Sequence, residues 1–496
     1  MTAGRAMRPD VRRAPAHGRR FPRLCVAFLL LVTAPGVFAD IVIESQSLKL
    51  HFGRLGDLER VEACFPTCTD PHAQTQVMSS RLGMLLLAPR GSGASQTARR
   101  REKDATVLEF SSDGGKLLRR WRIPDRGWLI SLQVTGMQRA ELATGEGFRP
   151  RSASGLGYLL EQTRYLFFEE GRVQAGGLDE TGLEPRETGD WFGFRNRFWA
   201  AMIRPGRVYS VAPVTGDRVQ DAALLVDFPA GKEAGLELYL GPVEPVALRQ
   251  TAPELEKLMY SGLWFWLRWI CQGLYALLGA IHALLPDWAL AVMVMSVLVS
   301  LLMRPLSGFA ERLQDQVHAT DARLRPALAR IKKDYRGAKQ SEEILALYKT
   351  EGVHPLYSLK SLAGVAVVIP VFIGAFDMLA ENIHLAGASF LWITDLSRPD
   401  AFAQLPFALP FFGRDLNLLP FIMTGFSFAA SKLHSPPSMD AAQQRRQARN
   451  LVLMSLGFFL LFYTFPAGMV LYWTSNNLIS VARFAWRRRR NRADAA

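Results

Sequence analysis

The sequence predicts a multi-domain membrane protein, with an all-β sandwich domain followed by an all-α core of five transmembrane helices and a cytosolic helical hairpin. Three observations carry that prediction. Residues 40–255 mix polar and apolar positions with the two-residue period of half-buried strands. Residues 287–486 hold several apolar runs of about 17–22 residues, each long enough to cross a hydrocarbon layer ~30 Å thick as a helix. The 496-residue chain has a net charge of +14, and 11 of those charges sit in two short ends, 1–23 and 483–496. Basic residues at the flanks of apolar segments set membrane orientation, whereas a nucleic-acid groove spreads its charge over a folded face. A wholly soluble protein, a disordered chain and a small disulfide scaffold are excluded, and DNA is not expected as a partner.

The elements follow in order. Residues 1–39 read as a targeting segment, with an Arg-rich start, the apolar stretch Leu24–Thr33, and Val37 and Ala39 at signal-peptidase spacing. A cleaved signal peptide is favoured over a retained anchor, and both place the next domain outside the cytoplasm. In that domain Leu48, Leu50 and Phe52 alternate with Lys49 and His51. Val107–Ser111 and Lys116–Ile123 flank Asp113-Gly114-Gly115, a hairpin signal. Trp128, Ile130, Leu132 and Val134 alternate again, Leu236–Leu240 ends at Gly241-Pro242, and Ser92–Arg101 reads as a polar loop.

Residues 261–285 are aromatic-rich but interrupted by Arg268, Gln272 and His282. They predict an amphipathic helix lying in the outer interface, where Trp rings are favoured. Asp287–Ser307 then crosses inward, and 308–360 form the cytosolic hairpin with breaks at Pro326, Gly337 and Pro355. Leu362–Glu381 crosses outward, 384–416 form an external loop, and Leu418–Ser431 crosses inward. His434–Arg449 is a short basic loop, Leu451–Phe465 crosses outward, and Met469–Trp486 returns to a basic cytosolic tail, 487–496. Every Lys/Arg-rich loop then falls on one side, as the positive-inside rule requires.

Several short stretches carry a family resemblance: Met303-Arg304-Pro305-Leu306-Ser307, Leu345–Lys349, Ile369-Pro370-Val371-Phe372, Leu391–Ser397 and Phe465–Trp473. In this order, on a five-span frame, they resemble the YidC-type insertases of the YidC/Oxa/Alb superfamily. The resemblance covers roughly 260–486, with a weaker match in the β domain through Ile41–Phe52, Trp191–Ile203 and Leu236–Pro242. It implies a β-supersandwich in the periplasm, an insertase core in the bacterial inner membrane, and a hydrophilic groove open to the cytosol and the lipid. It implies nascent membrane proteins as clients, with membrane lipids, the Sec translocon and the ribosome as further partners, and no cofactor. The family places a groove arginine where this chain has Ser300; here the arginine is Arg304, one turn later, in the groove or as a snorkelling anchor. The family's pattern between Pro355 and Pro370 is also missing. Both departures fit a divergent paralogue with a restricted clientele.

An insertase needs no covalent catalysis, only a shorter dry path for polar peptide, because unsatisfied backbone groups and charges are costly in hydrocarbon. Ser296, Ser300 and Arg304 follow helical spacing, as do Thr424, Ser427 and Ser431, while Asn476 and Asn477 lie beside Thr474 and Ser475. These polar residues on three spans are candidate groove lining; alternatively they bond back to their own helices or cement packing. Tyr472 and Trp473 match a family aromatic pair that contacts clients, with plain packing as the alternative. Met293, Met295 and Met303 offer adaptable contact. Asp377 is expected near the outer interface and not in contact with Arg304. Cys64 and Cys68 are a disulfide candidate in a compartment where disulfides persist; with His72 they lack a fourth zinc ligand. A β-domain enzyme and a small-solute transporter are the other classes, and neither shows its motif: no nucleophile or nucleotide loop, and no paired broken-helix repeats.

Overall fold

The computed structural model describes residues 41–493 except 80–84, 89–95, 137, 144, 146–147, 149–153, 170, 178–185, 189, 207–208, 215–222, 229–232, 358 and 434–440. The expected targeting segment, 1–39, lies outside the described residues.

The N-terminal half is β-rich and, among the described residues, forms two antiparallel sheets of nine strands each. One orders Ile41–Glu44, Leu48–Phe52, Leu58–Phe65, Leu85–Ala88, Arg139–Ala143, Ala223–Asp227, Tyr209–Val214 and Arg186–Thr188, with Gln74–Ser79 also paired to Leu58–Phe65. The other orders Arg172–Gly177, Arg164–Glu169, Phe192–Arg195, Trp199–Pro205, Ala234–Pro242, Leu129–Thr135, Leu117–Pro124, Ala105–Ser112 and Gln96–Arg101. Alternation decides what is buried. Leu48, Leu50 and Phe52 point into the core, as do Trp128, Ile130, Leu132 and Val134. The sheets meet through Phe52, whose ring lies 5.1 Å from Trp121 and 6.0 Å from Phe110. Beside them Arg119 pairs with Asp57 at 3.1 Å, both nearly fully buried. The hairpin turns at Asp113-Gly114-Gly115, all three at positive φ, where the glycines carry no steric cost.

Two readings of this domain need correction. Residues 96–101, expected as loop, form an edge strand paired to Ala105–Ser112. Its arginines at 99–101 are exposed, so no apolar alternation marked it; charged edges are a common guard against aggregation. The strand expected to stop at Leu240 runs on to Pro242, opposite Trp199.

A short helix α1 (Pro245–Thr251) leads to the helical half: α2 (Phe265–Leu284), α3 (Trp288–Leu302), α4 (Arg304–Asp334), α5 (Ala338–Thr350), α6 (Leu359–Ala380), α7 (Leu419–Leu433), α8 (Ala441–Phe462) and α9 (Ala467–Ala493). α9 packs on α3, α6 and α7; α2 packs on α3 and α6; α8 rests on α7. α2 buries Leu267, Cys271, Leu274, Leu278 and Ile281, one stripe at three- and four-residue spacing. Gly374 lets α6 approach it closely, since a Cβ there would sit 2.6 Å from Ile270. Among the described residues α2 is the one helix that by itself is long and apolar enough to cross a membrane; α3 with Arg304–Ala310 qualifies as a bent pair.

Helix boundaries depart from expectation where polar residues are good helix formers. Pro326 lies inside α4 without ending it, because Leu324 and Leu328 pack on the α5 side with Tyr357 and Tyr348 and hold the helix through the lost hydrogen bond. Gly337 and the Pro355 turn do break the hairpin. Residues 441–449, expected as loop, are the first turns of α8, and α9 continues through Arg487–Arg490; Gln and Arg favour helix regardless of polarity. The remainder of the expected loop, 434–440, lies outside the described residues.

Candidate client-contact groove

α3 begins at Asp287, whose side chain accepts from the Leu290 N–H at 2.9 Å, and ends at Leu302. A 42° bend at Met303 then separates it from α4, where Pro305 occupies the first turn. This breaks the shared face expected for Ser296, Ser300 and Arg304, because i, i+4 alignment requires one continuous helix. Ser296 and Ser300 stay together on α3. Arg304 starts α4, exposed, with no hydrogen bond or ion pair among the described residues.

The three-helix polar cluster does assemble, with α9 at its centre. Ser300 Oγ donates to Asn476 Oδ1, linking α3 to α9. Asn477 Nδ2 donates to Ser427 Oγ at 2.6 Å and to the Met423 carbonyl at 3.4 Å, linking α9 to α7. All four side chains are half-buried. Consecutive asparagines point to opposite neighbours because successive helical residues are ~100° apart. Ser296 is fully buried, and its Oγ has no partner among the described residues.

Other candidates turn inward on their own helices. Thr424 bonds to the Pro420 carbonyl at 2.7 Å, Thr474 to Val470 at 2.7 Å and Ser475 to Leu471 at 2.8 Å. The Ser431 side chain lies outside the described residues. Tyr472 is buried, and Trp473 packs against Phe372 at 4.7 Å, Phe462 at 6.0 Å and Tyr472 at 5.3 Å. Both rings belong to the core here, so client contact through Tyr472 requires the surrounding helices to part. Met295 is buried and Met293 and Met303 are partly buried.

Asp377 lies near the end of α6 that meets the β domain and does not contact Arg304. The Cys64 and Cys68 sulfurs are bonded, closing a loop further held by Cys68 N–H to the Gln46 carbonyl at 2.7 Å. Among the described residues no cluster of His, Cys, Asp and Glu could hold a metal.

Sequence reasoning missed the junction between the two halves. Arg197, in the turn Asn196-Arg197-Phe198, is buried and donates to the carbonyls of Ala380 at 2.6 Å and Ser397 at 2.8 Å and to Glu161 at 2.9 Å. Burial lowers its pKa, with Glu161 opposing. Arg195 pairs with Glu381 at 2.7 Å, and Glu381 also accepts from the Tyr260 N–H. Gly157 seats its backbone on Thr464, and its N–H donates to the Thr464 hydroxyl at 3.2 Å. A second strut runs from Glu244 through the Tyr275 hydroxyl (2.7 Å) to His384 Nε2 (3.1 Å). His384 stacks on Trp288 at 4.7 Å, and burial lowers its pKa. The available signal was the pair of arginines in Phe194–Trp199, two charges inside an aromatic stretch.

Residues 280–494 match the family model described as "60Kd inner membrane protein". The chain is 31% identical over 293 residues to the membrane protein insertase YidC of Dechloromonas aromatica, covering 58% of this chain and 48% of that protein. It is 33% identical over 247 residues to the YidC of Cupriavidus taiwanensis (50% and 39%) and 30% identical over 324 residues to that of Pseudomonas entomophila (63% and 52%). The chain thus spans about half or less of the length of these curated relatives. A crystal structure of an active YidC insertase with its first transmembrane domain resolved is 17% identical, with a TM-score of 0.33 over 89% of this chain and 91% of that one. The recognition drawn from the short motifs is borne out: residues 280–494 match the 60Kd inner membrane protein model, and the chain is similar to insertases of the YidC type.

Proposed function

We propose that this protein is an insertase of the bacterial inner membrane that lets newly made membrane proteins enter the bilayer along a polar seam among α3, α7 and α9. The observation that carries this reading is the pair of interhelical links, Ser300–Asn476 and Asn477–Ser427. They place half-buried hydrogen-bonding groups inside a bundle whose outer faces are apolar. Leu302, Trp269, Leu453 and Leu456 are among its exposed side chains, and exposed apolar surface on this scale marks contact with lipid or a partner. A polar client segment exchanges its hydrogen bonds with those of the seam instead of leaving them unmade in hydrocarbon.

In this reading α3, α6, α7, α8 and α9 are the five spans, and α4 and α5 form the cytosolic hairpin. The two-sheet domain, a supersandwich, lies in the periplasm, and the C-terminus is cytosolic. α2 lies in the outer interface: Arg268 folds back onto the carbonyls of Leu263 and Ser261, keeping its charge at the helix start beside exposed Trp264 and Trp269. Arg304, at the cytosolic bend, is placed to attract acidic client segments. No covalent step is involved. The Sec translocon and the ribosome are partners that the family resemblance supports.

Reconstitution of the full chain into proteoliposomes tests this. The Ser300→Leu/Asn477→Leu variant keeps its helicity and melting behaviour but inserts a single-span client severalfold more slowly. Unchanged insertion would contradict the seam.

A further inference from the structure

We propose that the junction of the β domain with α2 and α6 holds one zwitterionic aminophospholipid, its phosphoethanolamine headgroup in a mixed-charge cavity and one acyl chain in the apolar slot beside it. This rests on the reading that the β-domain ends of α2 and α6 lie at the outer lipid interface. The cavity, about 260 Å³, is lined by Arg164, Arg195, Arg197, Asp377 and Glu381. Part of that charge is committed, since Arg195 holds Glu381 and Arg197 holds Glu161. The rest is not. Among the described residues Arg164 reaches Gln162 alone, at 3.1 Å, and the Asp377 carboxylate has no hydrogen bond or ion pair. Arg197 Nη2 is buried with no hydrogen-bond partner among the described residues.

An uncommitted guanidinium and an uncommitted carboxylate in one cavity suit a ligand that carries both signs. A phosphodiester pairs with Arg164 by charge-assisted hydrogen bonds, and a primary ammonium donates to Asp377. A purely anionic headgroup would leave Asp377 facing like charge. A trimethylammonium has no N–H to give it.

The adjoining slot, about 430 Å³, shares Gly262 and Leu263 with the cavity and is walled by Trp266, Leu267, Ile369, Pro370 and Ile373. Gly262 has open space where a side chain would begin, so no side chain of its own stands between the polar cavity and the apolar slot that it also lines. That continuity distinguishes a lipid from a soluble phosphoethanolamine, which would fill the cavity alone.

Native mass spectrometry of the full chain in detergent tests the assignment with acyl-matched phosphatidylethanolamine, phosphatidylcholine and phosphatidylglycerol, and with free phosphoethanolamine. The ethanolamine lipid should be retained about tenfold over the choline lipid, the worth of one hydrogen bond to a charged group. Asp377→Asn should erase that preference, Arg164→Gln should weaken retention of both lipids, and Ile369→Trp should block the slot. Free phosphoethanolamine should not be retained. Equal retention of the three lipids, or an ethanolamine preference that survives Asp377→Asn, overturns the proposal. If Asp377→Asn fails to fold, the Ile369→Trp variant decides, because undiminished retention with the slot filled also overturns it. Client insertion measured on the same preparation separates the two readings: insertion without lipid preference removes only the lipid site, and lipid preference without insertion removes only the insertase.

Discussion

The two halves of the molecule present different side chains at their surfaces. In the β domain apolar residues face inward and charge faces outward: Arg120–Glu109 and Arg139–Asp227 are cross-strand surface pairs and Arg122 pairs with Asp104 in a turn, while Phe52, Trp121 and Ile130 fill the interior. In the helical half Leu302, Leu453 and Trp269 face outward, and the hydrogen-bonded side chains Ser300, Ser427, Asn476 and Asn477 face one another. Both halves bury an apolar core, and the same rule, that polar groups need partners, gives charge pairs on the surface of one and interhelical hydrogen bonds inside the other, the arrangement expected of the proposed lipid setting. The hairpin α4–α5 again carries charge on its surface, with Arg323, Arg330 and Lys333 exposed.

The largest expected effect lies where the two layouts meet. Arg197→Met removes two buried hydrogen bonds and a part-buried one and leaves Glu161 without its cation, so stability should fall by about 3–5 kcal/mol. Limited proteolysis should then cut between the halves. If the melting midpoint and the cleavage pattern are unchanged, the halves are not joined through this residue.

A smaller effect comes from His384. Burial holds its folded pKa below the unfolded value of ~6.5, so as pH falls through ~6.5 the unfolded chain takes up the proton first. Stability attributable to this group is full above pH ~6.5 and declines toward the folded pKa, by at most about 1.4 kcal/mol per pH unit. His282 adds to the depression and Glu244 opposes it. Melting curves from pH 7.5 to 5 should show this slope in the wild type and a shallower one in His384→Phe. Identical slopes would remove His384 from the coupling.

The smallest effect belongs to the water-facing side. Arg120→Ala breaks a half-exposed pair with Glu109 and should cost no more than about 0.5 kcal/mol. A larger loss in a denaturant titration would mean that the surface charges of the β domain do more than solvate it.

How legible each half was follows from these layouts. Alternation exposed the strands around Leu48–Phe52 and Trp128–Val134, because one face sees core and the other water. The edge strand at 96–101 escaped, since with both faces polar it carries no period. The seam residues were found by helical spacing on two spans and as a run of adjacent polar residues on a third, but their pairing was not, because neither pattern says which helices neighbour α9. Spacing also misled at Arg304, where Pro305 and the bend at Met303 interrupt the helix. Arg195 and Arg197 were seen only as part of a weak motif. Their partners Glu381, Ala380 and Ser397 lie nearly 200 residues away, and no local pattern connects them.

The most direct test of the polar seam is photo-crosslinking to a nascent membrane protein from position 300, position 427 and the outward-facing Leu453. Adducts from 300 and 427 with none from 453 are the expected result. Adducts from 453 alone while insertion proceeds would show that clients pass over the outer surface, and would contradict a polar seam as their path.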